Sequence, residues 1–192
     1  MKKSRMFIAV ELEDDLRKQL SEVQKTLATS QANVKWVEPH NIHLTIKFLG
    51  DVDPALIVGI CKVIESATEK QVPFVVPVIG VGTFPPTGLP RIIWVGASDE
   101  ELRLSKIYNT LNSGLVPLGI PFEKRKFNPH ITLGRIRTPK GADALKKMVS
   151  QYSQKPFGSI AVDSLTLFSS ELTEKGPLYT PLANIRLCSS GS

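Results

Sequence analysis

The chain has 192 residues, of which 42% are hydrophobic and 22% are charged, and its formal net charge is +6. These values exclude a disordered or fibrous protein and predict a globular one with a substantial core. The positive charge favours an anionic partner without identifying it. The apolar run over residues 6–10 is far too short to cross a bilayer, so we expect a soluble protein of the cytoplasm.

The first half of the chain predicts strands and helices in alternation. Residues 5–12 predict a buried strand, and aliphatic residues at helical spacing predict a helix over residues 14–28. Two short strands are predicted at residues 34–39 and 43–50. Asp53 followed by Pro54 then predicts the start of a second helix.

The second half continues the alternation. Strands are predicted over residues 74–84 and 91–98, and Ser98 and Glu101 have the spacing of a capping box that opens a third helix. A strand at 130–137, a helix at about 142–152 and two final strands follow. Many connections are of hairpin length, which requires antiparallel pairing, so the predicted fold class is α+β. We expect one domain over residues 1–188 and a disordered tail at 189–192.

One phrase occurs twice, as NIHLTIKFLG at residues 41–50 and NPHITLGRIR at residues 128–137, and it contains two of the three histidines. Residues i and i+2 of a strand point to the same face, so His43 projects with Thr45 and His130 with Thr132. The aliphatic residues between them point to the core. The histidines lie 87 residues apart, close to half the chain, which predicts two similar halves facing each other across a cleft.

This pattern suits proton transfer at a phosphate. Histidine gives or takes a proton near neutral pH, and two imidazoles on opposite sides of one atom can act as acid and base. Threonine hydroxyls can donate hydrogen bonds to phosphate oxygens. A single His-x-Thr carries little information, but two copies with shared flanking residues predict a metal-free phosphoryl-transfer site. A metal site at His40 and His43 would lack a third ligand.

The paired motifs, His43–Ile46 and His130–Leu133, resemble those of the 2H phosphoesterase superfamily. RMFIAVEL, RIIWVGA, FNPHITLGR and GPLYTPLANIRL make the chain most similar to its RNA 2′,3′-cyclic phosphodiesterases, also called 2′-5′ RNA ligases. The resemblance covers nearly the whole chain. It implies a bilobal α+β fold, with two pseudo-symmetric antiparallel-sheet halves, outer helices and a central cleft lined by the two motif strands.

The resemblance also implies the chemistry. Such enzymes hydrolyse RNA 2′,3′-cyclic phosphate ends to 2′-phosphates without a metal or cofactor, and some run weak, reversible 2′-5′ ligation. By this likeness His43 is the proton donor, His130 is the proton acceptor, and Thr45 and Thr132 hold the phosphate. The residues alone do not separate acid from base. Two alternatives stay open: another 2H activity on a cyclic nucleotide or 2′-5′ oligonucleotide, and a non-catalytic RNA-binding module.

Four neighbouring residues have two interpretations each. Arg135 is a phosphate-binding candidate by resemblance, although strict alternation places it opposite His130 unless Gly134 bends or bulges the strand. Lys47 shares a face with His43, which predicts a position in the cleft or at its edge. Phe48 and Phe84 could stack on a base, but core positions are the commoner use and are favoured here.

A basic cluster is predicted around the second motif, formed by residues 124–126 with Arg135 and Arg137. It is a candidate surface for an RNA backbone, or else an ordinary solvated loop. The expected partner is RNA with 2′,3′-cyclic phosphate ends, including tRNA fragments. No membrane is expected, and the protein is expected to be a monomer.

Overall fold

Four α-helices and nine strands are formed by residues 3–174 and 176–188, which are the residues that the computed structural model describes. The predicted tail at 189–192 lies outside them. The elements are β1 (Ser4–Glu11), α1 (Asp14–Ala28), β2 (Val34–Trp36), β3 (His43–Val52), α2 (Ile57–Thr68), β4 (Phe74–Phe84), β5 (Ile92–Ala97), α3 (Arg103–Gly114), β6 (His130–Ile136), α4 (Ala142–Ser150), β7 (Pro156–Val162), β8 (Ser164–Thr173) and β9 (Gly176–Arg186).

The strands pair in the order β7-β4-β5-β6-β3-β1-β8-β9, with β2 added to β6, and every pairing is antiparallel. This confirms the predicted α+β class. We call β3, β1, β8 and β9 the first lobe, and β2, β6, β5, β4 and β7 the second lobe. The lobes meet where Leu44 of β3 pairs with Ile131 of β6.

Helices α1 and α3, here called the crossing helices, each pack on one lobe, although the strand that precedes them in the chain belongs to the other lobe. Helix α1 follows β1 of the first lobe but packs against β6, β7 and α4 on the second lobe. Helix α3 follows β5 of the second lobe but packs beside α2 and against β3 on the first lobe. The apolar faces of these helices supply fully buried core residues, among them Leu20, Leu27, Ile107 and Leu111. Throughout the described ranges, no helix is both long and apolar enough to cross a membrane.

The start of α3 differs from its prediction. The expected capping box of Ser98 and Glu101 does not form, and the helix begins at Arg103. The Asp99 carboxylate instead accepts a hydrogen bond of 2.9 Å from the backbone N–H of Leu104. The residue before the helix has a left-handed backbone, so the chain does not enter the helix as a capping box requires.

Candidate active site

The two His-x-Thr motifs lie side by side at the seam between the lobes. Each histidine begins its strand, and the strands pair through Leu44 and Ile131, which are completely buried. Because the strands are antiparallel, this register directs His43 toward Thr132 and His130 toward Thr45. The four polar side chains are partly exposed, whereas their aliphatic neighbours face the core. The structure therefore brings the predicted His/Thr pairs to one cleft.

A β-bulge follows the first motif. In the pairing of β1 with β3, Ala9 lies opposite Thr45 and Ile8 lies opposite Lys47, so Ile46 is the extra residue. An extra residue reverses the alternation of the side chains that follow it. Lys47 therefore points to the helix side of the sheet, and Phe48 points to the cleft.

A matching bulge follows the second motif. In the pairing of β5 with β6, Trp94 lies opposite Thr132 and Ile93 lies opposite Gly134, so Leu133 is the extra residue. The alternation reverses again, and Arg135 points to the cleft. The two bulges occupy the same place in their motifs, three residues after each histidine.

The bulges make Lys47 and Gly134 corresponding positions on the helix side. A Cβ atom at Gly134 would come within 2.6 Å of Val34, so β2 requires glycine there. The equivalent side chain in the first lobe is that of Lys47, which is buried. By the same correspondence Phe48 and Arg135 are equivalent positions on the cleft side, an aromatic ring in one lobe and a cation in the other.

A buried amide from each crossing helix reaches the region of a bulge. Gln24 of α1 donates hydrogen bonds of 2.8 Å to the carbonyl oxygens of Leu133 and Val37. Asn112 of α3 accepts a hydrogen bond of 2.8 Å from the Lys47 ammonium. The helices thus fix the geometry of the opposite lobe's motif strand, since an unpaired buried polar group would be costly.

Lys47 contradicts the prediction that it lies in the cleft or at its edge. It is 5% exposed, and its ammonium lies 5.7 Å from the centre of the Tyr108 ring. Burial lowers the pKa of Lys47, although the nearby Glu123 carboxylate opposes that effect. Asn112 also bonds the backbone N–H and carbonyl of Glu123, at 2.8 and 2.9 Å, so Lys47 belongs to a network that holds the loop before β6.

His43 has a defined tautomer. Its Nδ1 lies 2.7 Å from the Asn41 carbonyl oxygen, and because a carbonyl only accepts, Nδ1 carries a proton. Its Nε2 lies 2.9 Å from the Thr45 hydroxyl. The ring stacks on Phe7 at 4.8 Å and meets the edge of Tyr179 at 5.4 Å. Burial lowers the pKa of His43, and the hydrogen bond to Asn41 only partly offsets this.

His130 repeats this arrangement in a more open setting. Its Nδ1 lies 2.7 Å from the Asn128 carbonyl oxygen, so Nδ1 again carries a proton. Phe84 meets the His130 ring at 5.2 Å and stacks on Trp94 at 5.0 Å. Phe84 is half-buried and touches the candidate catalytic ring, so its position is neither simple core nor free surface.

A groove of about 840 Å³ continues from this site along the first lobe. Its lining includes Phe7, Phe48, Tyr179 and Arg135. Phe48 is 65% exposed, so the favoured core position was wrong, and its ring is available in the groove. Burial raises the pKa of Tyr179, and the positive charge of Arg135, which lines the same groove, opposes that rise.

Two site features escaped the sequence reasoning. Phe7 and Tyr179 flank His43, yet each is one aromatic residue in a strand pattern and carries no signal of its own. The backbone carbonyls that orient the histidines were also missed. The available clue was the asparagine that stands two residues before each histidine. In the structure the Asn41 side chain also donates a 2.9 Å hydrogen bond to the Pro177 carbonyl, which ties this segment to β9.

The predicted basic cluster is divided by the structure. Residues 124–126 precede β6, whereas Arg135 and Arg137 lie at the far end of that strand. His40 lies in a 3-10 turn (Pro39–Asn41) and lines a small cavity of about 100 Å³ beside His43. Among residues 3–174 and 176–188, no three His, Cys, Asp or Glu side chains are grouped closely enough to hold a metal ion.

Comparison with known protein families gives two adjacent matches. The model of the LigT-like phosphoesterases matches residues 10–94 and again residues 95–179. Each match contains one His-x-Thr motif, in agreement with the symmetry of the strand order about the seam.

Individual proteins of known sequence or structure are similar over nearly the whole chain. The RNA 2′,3′-cyclic phosphodiesterase of Methanothermobacter thermautotrophicus is 36% identical, over 96% of this chain and 100% of that one. The enzyme of the same name from Archaeoglobus fulgidus is 36% identical, over 93% and 97%. Among solved structures, TT0787 of Thermus thermophilus has a TM-score of 0.81 at 30% identity, covering 97% and 100% of the two chains. Escherichia coli LigT complexed with 3′-AMP has a TM-score of 0.75 at 26% identity, covering 96% and 98%.

Proposed function

Because this chain belongs to the LigT-like phosphoesterase family, we propose that it hydrolyses RNA 2′,3′-cyclic phosphate ends to 2′-phosphate ends. The observation that carries the proposal is the shared orientation of the two histidines. In each ring Nδ1 is held by a backbone carbonyl at 2.7 Å, so Nε2 is the nitrogen that remains for chemistry in the cleft, and that of His43 already lies 2.9 Å from the Thr45 hydroxyl. Relatives named for this activity, and a relative that binds 3′-AMP, support the substrate class.

In the proposed reaction, water attacks the phosphorus of the cyclic phosphate and the bond to the 3′ oxygen breaks. His130 accepts the proton of the attacking water at Nε2, and His43 donates a proton from Nε2 to the departing 3′ oxygen. Thr45 and Thr132 donate hydrogen bonds to the non-bridging oxygens, and the Arg135 guanidinium stabilises their charge. The two histidines exchange protonation states in each turnover, so solvent must reset them.

Binding of the substrate favours the proton on His43. Burial lowers the pKa of His43, which favours the neutral ring in the free protein. A phosphate anion bound beside the ring acts in the opposite direction, because an adjacent negative charge stabilises the imidazolium. We therefore propose that the substrate's own charge helps to protonate its general acid.

The same residues can run weak ligation. If the 5′-hydroxyl of a second RNA replaces water, attack on the cyclic phosphate and loss of the 3′ oxygen leave a 2′-5′ linkage. His130 would accept the hydroxyl proton, and His43 would again protonate the 3′ oxygen. On this proposal the protein works as a monomer in the cytoplasm and processes RNA fragments, including those of tRNA.

The test is incubation of the purified protein with an oligoribonucleotide that ends in a 2′,3′-cyclic phosphate. We expect a product heavier by one water, with its phosphate on the 2′ oxygen, as read by mass spectrometry and phosphorus NMR. An oligonucleotide with a 3′-phosphate end is the control and should be unchanged. A 3′-phosphate product would refute the assigned bond cleavage, and no turnover would refute the proposed function.

A further inference from the structure

Four basic side chains surround the far end of β6, beyond the second motif. Lys35 of β2 pairs with Arg135 across one edge of β6, and residues paired across strands project to the same face. Arg137 lies two residues after Arg135. Arg91 lies beside this end of β6, since its carbonyl oxygen accepts a 2.9 Å hydrogen bond from the N–H of Ile136. All four side chains are exposed.

The charge of this surface is uncompensated. Within the part of the chain that the structure describes, Lys35, Arg91, Arg135 and Arg137 make no ion pair with a carboxylate. A cavity of about 380 Å³ at this place is lined by the three arginines and by residues without negative charge. Such a surface raises the local concentration of polyanions.

The surface is continuous with the candidate active site. Arg135 lines both this cavity and the groove that holds Phe48 and Tyr179. A strand rises about 3.3 Å per residue, so Arg137 lies roughly 15 Å beyond Thr132. That distance exceeds the span of one nucleotide, so a bound mononucleotide at the histidines would not reach Arg137.

A cyclic phosphate forms the 3′ end of its strand, so the rest of the RNA extends from the site on its 5′ side only. Residues 124–126 are the other basic surface along which this upstream RNA could lie. They lie at the opposite end of β6, and none of them lines the groove or the cavity, whereas Arg91 and Arg137 line the cavity and Lys35 is paired with Arg135. The Glu123 carboxylate also lies among them, where it accepts a 3.1 Å hydrogen bond from the backbone N–H of Arg125. The observations favour the far end of β6.

We propose that Lys35, Arg91 and Arg137, here called the basic edge, bind backbone phosphates of the RNA upstream of its cyclic end. This inference rests on the proposed function and adds the residues that bind the RNA strand beyond its cyclic end. Arg135 is left out of the basic edge because it is assigned to the reacting phosphate.

The test compares two variants that each lose three positive charges. K35Q/R91Q/R137Q removes the basic edge, and K124Q/R125Q/K126Q is the matched control. Binding of a fluorescent oligoribonucleotide ending in a 2′-phosphate is followed by anisotropy at increasing salt, so the result does not depend on turnover. Each phosphate contact to a single strand contributes about −0.7 to the slope of log K against log salt, so loss of three contacts should flatten the slope by roughly 2.

We expect the flattened slope and weaker binding in the basic-edge variant alone, with hydrolysis of a nucleoside 2′,3′-cyclic phosphate unchanged in both variants. Equal flattening in both variants would overturn the proposal, because it would show a general effect of net charge. A flattened slope in the control variant alone would show that the upstream RNA binds at residues 124–126 instead. If the wild type binds the oligonucleotide but hydrolyses no cyclic phosphate, the proposed function fails while the basic edge stands.

Discussion

At the scale of single residues, the two histidines are alike in orientation and different in surroundings. Both are oriented through Nδ1 by a carbonyl two residues earlier in the chain. His43 lies among aromatic rings and its pKa is lowered by burial, whereas His130 has one aromatic neighbour. Two equivalent motifs thus lie in unequal environments, as the proposed division into an acid and a base would need.

The first prediction concerns the pair as a unit. His43→Ala and His130→Ala should each lower kcat/KM for a 2′,3′-cyclic phosphate by about 10²–10⁴-fold, the usual contribution of a positioned acid or base. The double variant should be scarcely slower than either single one, because groups that act in one step are strongly non-additive. Thr45→Ala and Thr132→Ala should lower kcat/KM by a smaller factor. Steady-state hydrolysis measures the effect, with melting curves as the folding control; a folded His130→Ala protein with near-normal turnover would contradict it.

The second prediction concerns stability and pH. The pKa of His43 lies below its ordinary value of 6.5 in the folded protein. Between that lowered pKa and 6.5 the unfolded chain binds more protons, so the free energy of unfolding falls as pH falls below 6.5 and is unaffected by His43 above it. In His43→Gln the free energy of unfolding should fall less than in the wild type between about pH 7.5 and about pH 5.5. Urea midpoints at the two pH values measure it, and an undiminished loss in the variant would exclude His43 as the cause.

Sequence reasoning succeeded for residues that precede the bulges and failed for Lys47 and Phe48, which follow the first one. For Arg135, which follows the second, the glycine at position 134 had indicated that a bulge could turn its side chain to the cleft. The shared faces of His43 with Thr45 and of His130 with Thr132 follow from strict alternation. Lys47 and Phe48 were assigned to the wrong sides because nothing at Ile46, an ordinary strand residue, signals an extra residue in the pairing. A bulge depends on the partner strand, which a local pattern does not contain.

At the scale of elements, the crossing helices α1 and α3 each bond to a motif strand. Each sends one buried amide to the opposite lobe, Gln24 to the carbonyl of the bulged Leu133 and Asn112 to the ammonium of Lys47. Both helices were predicted from apolar periodicity. The polar residues on their buried faces break that periodicity and could not be interpreted without knowing their partners.

The third prediction uses the asymmetry of the Lys47–Asn112 pair. Asn112→Leu leaves a buried ammonium and the backbone groups of Glu123 without their partner, and should lower the free energy of unfolding by about 3 kcal/mol. Lys47→Met keeps the apolar stem and leaves Asn112 bonded to Glu123, so it should cost about 1 kcal/mol or less. Urea denaturation measures both, and the double variant should be more stable than Asn112→Leu alone. Equal losses in the two single variants would show that the buried charge is not the reason.

At the scale of the whole molecule, the repeated phrase predicted two similar halves, and the two adjacent family matches agree with it. The strand order is likewise symmetric about the β3–β6 seam. The exchange of α1 and α3 was not predicted, because periodicity identifies a buried face without identifying the sheet that covers it. That residues 1–188 form one domain stays a prediction.

The fourth prediction concerns metals. If the histidines transfer both protons and Arg135 with the two threonines stabilises the phosphate, no divalent ion takes part in the reaction. Hydrolysis of the cyclic phosphate should then proceed at the same rate after treatment with EDTA. Loss of activity that one particular metal restores would refute the two-histidine mechanism.

The crossing of helices between lobes also has a mechanical consequence. A hinge needs two bodies joined at few points, whereas here the chain passes from one lobe to the other after β1, β2, α2, β5, α3 and β7. Rotating the two lobes away from each other would separate α1 and α3 from the sheets that they cover and would expose the buried leucines of these helices. We therefore expect the width of the cleft to stay fixed through the catalytic cycle. RNA would enter and leave along the cleft, and the spacing of the two imidazoles would be set when the protein folds and not when the substrate arrives.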